Sequence, residues 1–370
     1  MNMKSRWQDF KTSMQPRVKE WRFMLKRIRE SPLAVAGVVL VLFFVAIALL
    51  APVLAPPNGD PYAIPQDMEV NALLSGAPTP PTTRHVFGTT VAGYDIYYAC
   101  IWGTITAFRV GVLVVAISLV IGLSIGTLAG YYGGFLDEAL MRFTDVIIAF
   151  PGLILAMAFV IVFPAAIPIS ISPLLVVFSL LASFLFLFIH PDRRLLLLTQ
   201  FILLLSLLSY AYYPLNFSLP LSGLDKVLVA LTIVGWPSYT RLIRGEVLRV
   251  KNEDYVEASR ASGSSDFRTI TRHILPNSIY PILIMATLDI GSIVLTAAAL
   301  SFLGIGAPSN YADWGQIIQK SQDYISNPTL LVANYYTFLI PGLFITFFVM
   351  GWNLLGDALR DVLDPMLRRR

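Results

Sequence analysis

Charged residues are scarce in this sequence. Asp, Glu, Lys and Arg make up 14% of its 370 residues, whereas apolar residues make up 56% and the mean hydropathy is +0.69. Because a soluble domain carries roughly a quarter charged residues, the composition excludes an ordinary soluble enzyme. It equally excludes a disordered or collagen-like chain. The class that remains is a membrane protein.

Cysteine and histidine are also scarce. The single Cys100 excludes an internal disulfide framework and any site built from several cysteines. His85, His190 and His273 are not spaced as a metal-binding pair, and the sequence has no phosphate loop of the GxxxxGK[ST] type and no HExxH or GxSxG motif. We therefore expect no cofactor, metal or ATP hydrolysis in this chain, and a membrane enzyme is disfavoured.

Long apolar runs are what the sequence has instead. A helix needs about 20 residues to cross a bilayer, and a backbone in lipid must satisfy its own hydrogen bonds. We therefore expect an all-α polytopic membrane protein with eight transmembrane helices. The predicted spans are 32–54, 104–130, 145–163, 173–190, 195–213, 224–241, 279–300 and 335–356.

The distribution of basic residues predicts the orientation of these spans. Nine Lys or Arg precede the first span, so the tail 1–31 should be cytosolic. Eight spans make the tail 357–370 cytosolic too, and this threading places 23 of the 27 basic residues on the cytosolic side. It makes 55–103 an external segment and 242–278 a cytosolic loop. The first span is expected to be a retained anchor, since its tail and apolar run exceed those of a secretory signal.

Two features inside the spans point to packing or to a polar path. Gly122, Gly126 and Gly130 recur every four residues, a spacing that lets helix backbones approach closely. This favours tight packing within the chain, with a dimer face as the alternative. Asp289 lies near the middle of the seventh span, where an ionisable group seldom faces lipid. It either lines a translocation path or is a buried carboxylate bonded to a neighbouring helix.

The loop 242–278 has the pattern of a helical hairpin. Small or shallow residues recur at i, i+3, i+4 and i+7, which predicts a short helix, and Gly263 suits a left-handed C-cap. Ser265 or Asp266 can cap a second helix, which Pro276 should stop because it lacks an amide hydrogen. Such a hairpin is a natural docking site for another protein. The first helix would present Tyr255, Ala258, Ser259 and Ser262, and the second would line one face with Phe267, Ile270 and Ile274.

This loop resembles the EAA loop of the membrane permeases of ABC importers. The match consists of Glu257-Ala258-Ser259, Gly263 and His273-Ile274-Leu275-Pro276, with Ser259 where the motif has a second alanine. The resemblance implies that the loop contacts a separate ATPase subunit. The implied contact residues are Glu257, Ala258, Ser259, Gly263, Leu275 and Pro276.

Further segments resemble the dipeptide and oligopeptide permeases. The N-terminal Ser31-Pro32-Leu33-Ala34 resembles the start of their C component. Residues 164–222 have no counterpart and are expected to form an inserted helical hairpin, either a site for lipid or a partner or a tolerated insertion. The other matching segments are Gly130-Tyr131-Tyr132-Gly133-Gly134, Asp137, Asp145, Ser301-Phe302-Leu303-Gly304 and Asn353-Leu354-Leu355-Gly356-Asp357.

The resemblance implies a type I importer permease fold, with six core helices plus the inserted hairpin in a transmembrane domain 104–356 of the cell membrane. It implies a second permease subunit, two ATPase subunits that bind ATP and Mg, and an external substrate-binding protein, with no nucleic acid. Di- or oligopeptides are the expected cargo, with oligosaccharide or nickel as alternatives. A hypothesis of another class is an ion-coupled secondary transporter that uses Asp289 as its coupling carboxylate.

Overall fold

The computed structural model describes residues 29–67, 77–164, 166–170, 216–308 and 310–363, and these are mostly helical. The longer helices are α1 (Pro32–Leu54), α2 (Ile96–Tyr132), α3 (Gly134–Ile148), α4 (Gly152–Val162), α5 (Gly223–Lys251), α8 (Leu275–Phe302) and α12 (Tyr336–Leu363). The shorter ones are α6 (Asp254–Ala261), α7 (Asp266–Thr269), α9 (Trp314–Gln319), α10 (Gln322–Ile325) and α11 (Pro328–Ala333). Two strands, β1 (Ala166–Ser170) and β2 (Asn216–Pro220), pair antiparallel with Ala166 opposite Pro220.

Local signals explain where the first two long helices begin and end. The Ser31 hydroxyl accepts a hydrogen bond from the amide of Ala34, and Pro32 occupies the first turn of α1, where its missing amide hydrogen costs nothing. Asp95 caps α2 in the same way, through the amide of Tyr98. Gly133, at φ 70°, ends α2 in a conformation that favours glycine.

Four helices in the described part of the chain are long and apolar enough to cross a membrane. They are α1, α2, the helical stretch that includes α8, and α12, and the bent pair α3 and α4 would make a fifth. The prediction of eight spans is therefore not confirmed. The predicted spans 173–190 and 195–213 lie outside the described residues, and 224–241 falls within α5.

The predicted span 145–163 is wrong as one straight helix. Its residues belong to α3 and α4, which meet at an angle of 87°. The break falls at Phe150-Pro151, where the proline ring removes an amide hydrogen and clashes with the preceding turn. The second predicted span, 104–130, is too short at its start, because the Asp95 cap begins α2 eight residues earlier.

The described residues form two compact units, one of which is Ile161–Asp225 and the other the rest of the chain. The strands β1 and β2 lie in Ile161–Asp225, near the two ends of the predicted insertion 164–222, and the two helical spans predicted within that insertion lie outside the described residues.

The core of the larger unit is built from α1, α2, α5, α8, α9 and α12. Phe44 on α1, Trp314 on α9 and Phe348 on α12 form an aromatic cluster, with ring centroids 5.3 Å apart for Phe44 and Phe348 and 5.7 Å for Trp314 and Phe348. All three side chains are buried. Aromatic packing thus joins α1 to α12, the first and last helices among the described residues.

Candidate functional site

The loop between α5 and α8 folds as the predicted helical hairpin. The amide of Gly263 donates to the carbonyl of Arg260 (2.9 Å), and the amide of Ser264 donates to the carbonyl of Ser259 (3.2 Å). These two bonds form a Schellman motif, which satisfies the last carbonyls of α6. Gly263 has φ 78°, so the turn requires the left-handed conformation that glycine adopts without strain. Ser265 then caps α7 through the amide of Arg268.

The prediction that Pro276 stops the second helix is wrong. The chain stays helical from Asp266 to Phe302, because a π-helical turn, Ile270–Ile274, joins α7 to α8. In this turn the amide of Leu275 donates to the carbonyl of Ile270, five residues back. The wider turn accommodates Pro276, which occupies the first turn of α8 and has no amide hydrogen to place. The hairpin is therefore continuous with a transmembrane helix.

The first helix of the hairpin has one buried apolar side chain and exposes two of the predicted contact residues. Val256 is fully buried, whereas its neighbour Glu257 and the next residue, Ala258, are exposed. Ser259 is half-buried, and its hydroxyl has no hydrogen-bond partner among the described residues. A Cβ added to Gly263 would meet nothing within 4 Å, so the tip of the turn is open.

The second half of the hairpin is more exposed than its sequence pattern predicted. Ile274 is buried and Ile270 half-buried, but the Phe267 side chain is 77% exposed. Leu275 is half-buried and Pro276 exposed. The exposed surface of the hairpin therefore includes a large aromatic side chain on α7 in addition to Glu257 and Ala258 on α6.

Tyr131, at the end of α2, ties the hairpin to the transmembrane helices. Its hydroxyl donates to Asp266 at 2.6 Å, and the Arg260 guanidinium lies 4.9 Å from its ring centroid. Lys251, the last residue of α5, donates to the Tyr131 carbonyl oxygen. Tyr131 itself is buried. The one residue Tyr131 thus contacts the end of α5, the end of α6 and the start of α7.

Two ion pairs join α3 to α5 beside this anchor. Arg244 makes a two-pronged contact with Asp137, at 2.5 and 2.6 Å, and Arg241 contacts Asp145 at 2.6 Å. Paired N–H donors on a guanidinium fit a carboxylate in this geometry. Asp137, Asp145 and Tyr131 all belong to the sequence motifs. Their partners are 107, 96 and 135 residues away along the chain, so spacing could not assign them.

Asp289 lies apart from the hairpin. It follows Leu275 by 14 residues of α8, or roughly 20 Å along the helix axis. Asp289 is half-buried and lies near the hydroxyl of Tyr239 on α5. Within the described part of the chain, this hydroxyl makes no hydrogen bond of normal geometry. The structure therefore brings the hairpin residues together, whereas Asp289 is a separate polar side chain in the middle of α8.

Among the residues described, no three His, Cys, Asp or Glu side chains are close enough to hold a metal ion. The chemistry of the hairpin is that of a binding surface. The hairpin offers a carboxylate, small side chains and an aromatic ring. It is continuous with α8 and contacts α2 through Tyr131.

Comparison with known proteins identifies two family models in the chain. Residues 122–369 match the model described as the binding-protein-dependent transport system inner membrane component. Residues 19–75 match the N-terminal transmembrane domain of oligopeptide transport permease C. The first match includes the last third of α2, the hairpin and the described helices that follow.

Several curated proteins are similar to almost the whole chain. The dipeptide transport system permease protein DppC of Alkalihalophilus pseudofirmus is 30% identical, over 95% of this chain and 91% of that protein. The glutathione transport system permease protein GsiD of Pectobacterium atrosepticum is 30% identical, over 94% and 92%. The oligopeptide transport system permease protein OppC of Bacillus subtilis is 28% identical, over 94% and 90%.

Among solved structures, a chain of the MetNI methionine ABC transporter in an inward-facing conformation matches 72% of this chain and 97% of its own length. The sequence identity is 17% and the TM-score is 0.42.

Proposed function

The chain belongs to the family of binding-protein-dependent transport system inner membrane components, and from this premise we propose that it is a permease subunit of an ATP-driven peptide importer. It is a transport subunit in this proposal, and ATP hydrolysis takes place on partner subunits. The observation that carries the proposal is the exposed hairpin, held rigidly to two transmembrane helices by Tyr131 and by the unbroken helix through Pro276.

The hairpin supports the proposal as a coupling element. ATP binding would close two ATPase subunits, and that closure would push on Glu257, Ala258, Ser259 and Gly263. Because Tyr131 and the π-helical turn connect the hairpin to α2 and α8, the push would tilt those helices and change which side of the membrane the path opens to. The energy for the switch comes from the different affinities of the ATPases for the two states.

Peptides are the cargo that we propose. The named relatives transport dipeptides, oligopeptides and glutathione, all of which contain peptide bonds and free carboxylates. Oligosaccharide and nickel, the alternatives raised from the sequence, have no support from these names. An ion-coupled secondary transporter is likewise not what the matched family model describes.

The proposed assembly contains a second permease, two ATPases and an external substrate-binding protein. Both termini and the hairpin would face the cytosol, which is the orientation that the basic residues favour. Asp289 would lie on the translocation path, because a half-buried carboxylate in a transmembrane helix is costly unless protein or water faces it.

Two substitutions on the hairpin test the coupling proposal. Glu257→Lys reverses an exposed charge, and Gly263→Val forces a branched side chain into the left-handed conformation, which costs about 1 kcal/mol or more. Both should release the ATPase during purification or lower the transport per ATP hydrolysed in reconstituted vesicles.

The matched controls lie outside the hairpin. Glu138→Lys reverses another exposed glutamate, on α3, and Gly304→Val places valine at the same φ of 78° in open space after α8. Both controls should retain the ATPase. Wild-type co-purification and coupling in both hairpin variants would refute the proposal.

A further inference from the structure

His85 is held between two carboxylates at the end of α2 opposite the hairpin. Its Nδ1 atom lies 2.6 Å from Oδ2 of Asp95, and its Nε2 atom lies 3.0 Å from Oδ2 of Asp67. Asp95 is the residue that caps α2, about 55 Å along that 37-residue helix from its other end. The ring therefore joins the segment that follows α1 to the start of α2.

The two distances favour the charged form of the ring. A neutral imidazole has one N–H, so it could donate to one ionised carboxylate while its other nitrogen would face the second carboxylate lone pair to lone pair. With both carboxylates ionised, both contacts are hydrogen bonds when both nitrogens donate, as they do in the imidazolium. Arg84 lies 3.5 Å from Asp67, so two positive charges face two negative charges.

Few other charged side chains surround the ring among the residues that the structure describes. The Thr82 and Gly88 amides both donate to the His85 carbonyl oxygen, so the loop presents the ring in one orientation. The hydroxyls of the two nearby tyrosines donate to backbone carbonyls. The charged and titratable side chains that line the cavity of about 340 Å³ with His85 are Asp67, Arg84, Asp95, Tyr97 and Tyr98.

Two backbone hydrogen bonds also join the segment 65–67 to the residues around the start of α2. The amide of Asp67 donates to the carbonyl of Gly93 at 3.0 Å, and the amide of Asp95 donates to the carbonyl of Pro65 at 3.3 Å. Both donors belong to the residues whose carboxylates hold His85. If one carboxylate lost its hydrogen bond to the ring, the segment 65–67 would be attached to the start of α2 by fewer contacts.

We propose that His85 is a proton-binding site that fastens the segment 65–67 onto the start of α2 when the ring is charged and loosens it when the proton leaves. The side of the membrane opposite the hairpin would then sense pH through this one residue. The inference rests on the contacts of His85 with Asp67 and Asp95, and it does not depend on the cargo or on the ATPase contact.

The electrostatics of the site set the direction of the effect. Burial alone would lower the pKa of His85, but the hydrogen bonds and negative charges of Asp95 and Asp67 outweigh it and raise the pKa above its ordinary 6.5. A raised pKa means that the fastened state is fully present below pH 6.5 and is lost as the pH rises through the pKa of the folded protein.

Hydrogen–deuterium exchange of the full chain in nanodiscs tests the proposal. The amides of Asp67 and Asp95 would be followed from about pH 5.5 to about pH 9, a range that brackets a raised histidine pKa. His85→Arg keeps a permanent charge with several donors, so dividing the wild-type rate by the rate of this variant cancels the intrinsic pH dependence of exchange. This ratio should rise roughly tenfold across the range, as expected for the loss of one charge-assisted hydrogen bond.

A second variant covers the case in which His85→Arg does not fold. His85→Gln is neutral at every pH, so its exchange should exceed that of the wild type in acid and match it in alkali. The amide of Val256, which donates to the Glu253 carbonyl in the hairpin at the other end of α2, should show no such change. A pH-independent ratio for Asp67 and Asp95 against either variant would overturn the proposal.

Discussion

The carbonyl oxygen of Thr240 would lie only 2.6 Å from a Cβ added to Gly126. A Cβ added to Gly122 would lie 2.4 Å from Tyr239, and one added to Gly130 would lie 3.0 Å from Arg244, both on α5. The three glycines therefore form the contact between α2 and α5. The prediction of packing within the chain is confirmed, and the small residues are needed because backbone atoms meet there.

Gly126→Ala should destabilise the protein by about 1–3 kcal/mol, because the new methyl group would force the two backbones apart. Gly245→Ala is the matched control, since a Cβ there meets nothing within 4 Å and alanine favours a helix by about 1 kcal/mol. Thermal unfolding can be followed with a thiol-reactive dye, because the single Cys100 is fully buried until the protein unfolds. Equal melting temperatures for the two variants would show that the α2–α5 contact can relax.

Asp137→Asn should weaken the contact between α3 and α5. The change leaves Arg244 without its two-pronged partner. The contact is partly buried, because the Asp137 side chain is 16% exposed and the Arg244 side chain is 34% exposed. We expect a loss of about 1–3 kcal/mol in the free energy of unfolding. The control is Glu138→Gln on the same helix, whose partner Arg142 is mostly exposed, and which should cost about 0.5 kcal/mol or less. Chemical denaturation of both variants compares them, and similar losses would mean that the Asp137 pair contributes no more than a surface pair.

Asp313→Asn should make stability less dependent on pH. Asp313 caps α9, and its burial raises the pKa of its carboxyl group from 3.8 to about 6, although the Gln316 and Gly315 amides and the Ser301 hydroxyl oppose the shift. The folded state thus holds a proton that the unfolded state has released, so stability falls as the pH rises from about 4 to about 6. Asparagine resembles the protonated acid and still caps the helix.

Melting curves from tryptophan fluorescence between about pH 4 and pH 7 would measure this difference. The asparagine variant should be more stable than the wild type at pH 7 by roughly 1–3 kcal/mol, the free energy of a shift of this size. Asp323→Asn, which changes an exposed carboxylate in α10, should follow the wild-type curve. If the asparagine variant also follows that curve, the Asp313 carboxyl group does not titrate in this range.

Asp289→Asn should lower transport without releasing the ATPase. The amide keeps the shape of the carboxylate but removes its charge, and Asp289 is roughly 20 Å from the hairpin along α8. Thr287→Val, two residues away on the same helix, is the control and should transport normally. Uptake in reconstituted vesicles and ATPase co-purification would be measured together. Normal uptake by the Asp289 variant would mean that this residue is a packed acid with no role in the path.

Local features of the protein were determined by the sequence itself. The turn at Gly263 and the cap at Ser265 involve residues within five positions of each other, so the pattern alone predicted the hairpin. Apolar runs predicted the helices α1, α8 and α12, because each run is one continuous stretch of the chain. The permease family was also identified from sequence motifs.

Only the tertiary structure decided how these pieces are joined. The contacts of Tyr131 with Asp266, of Arg244 with Asp137 and of His85 with Asp67 link residues that are 135, 107 and 18 positions apart. The 87° bend at Pro151 and the unbroken helix at Pro276 show the same limit, since one proline breaks a helix and the other is absorbed by a π-helical turn. Both prolines lack an amide hydrogen, and the sequence shows only that. Whether the backbone bends or widens depends on the helices packed around it, because their contacts offset the lost hydrogen bond in one conformation and not in the other.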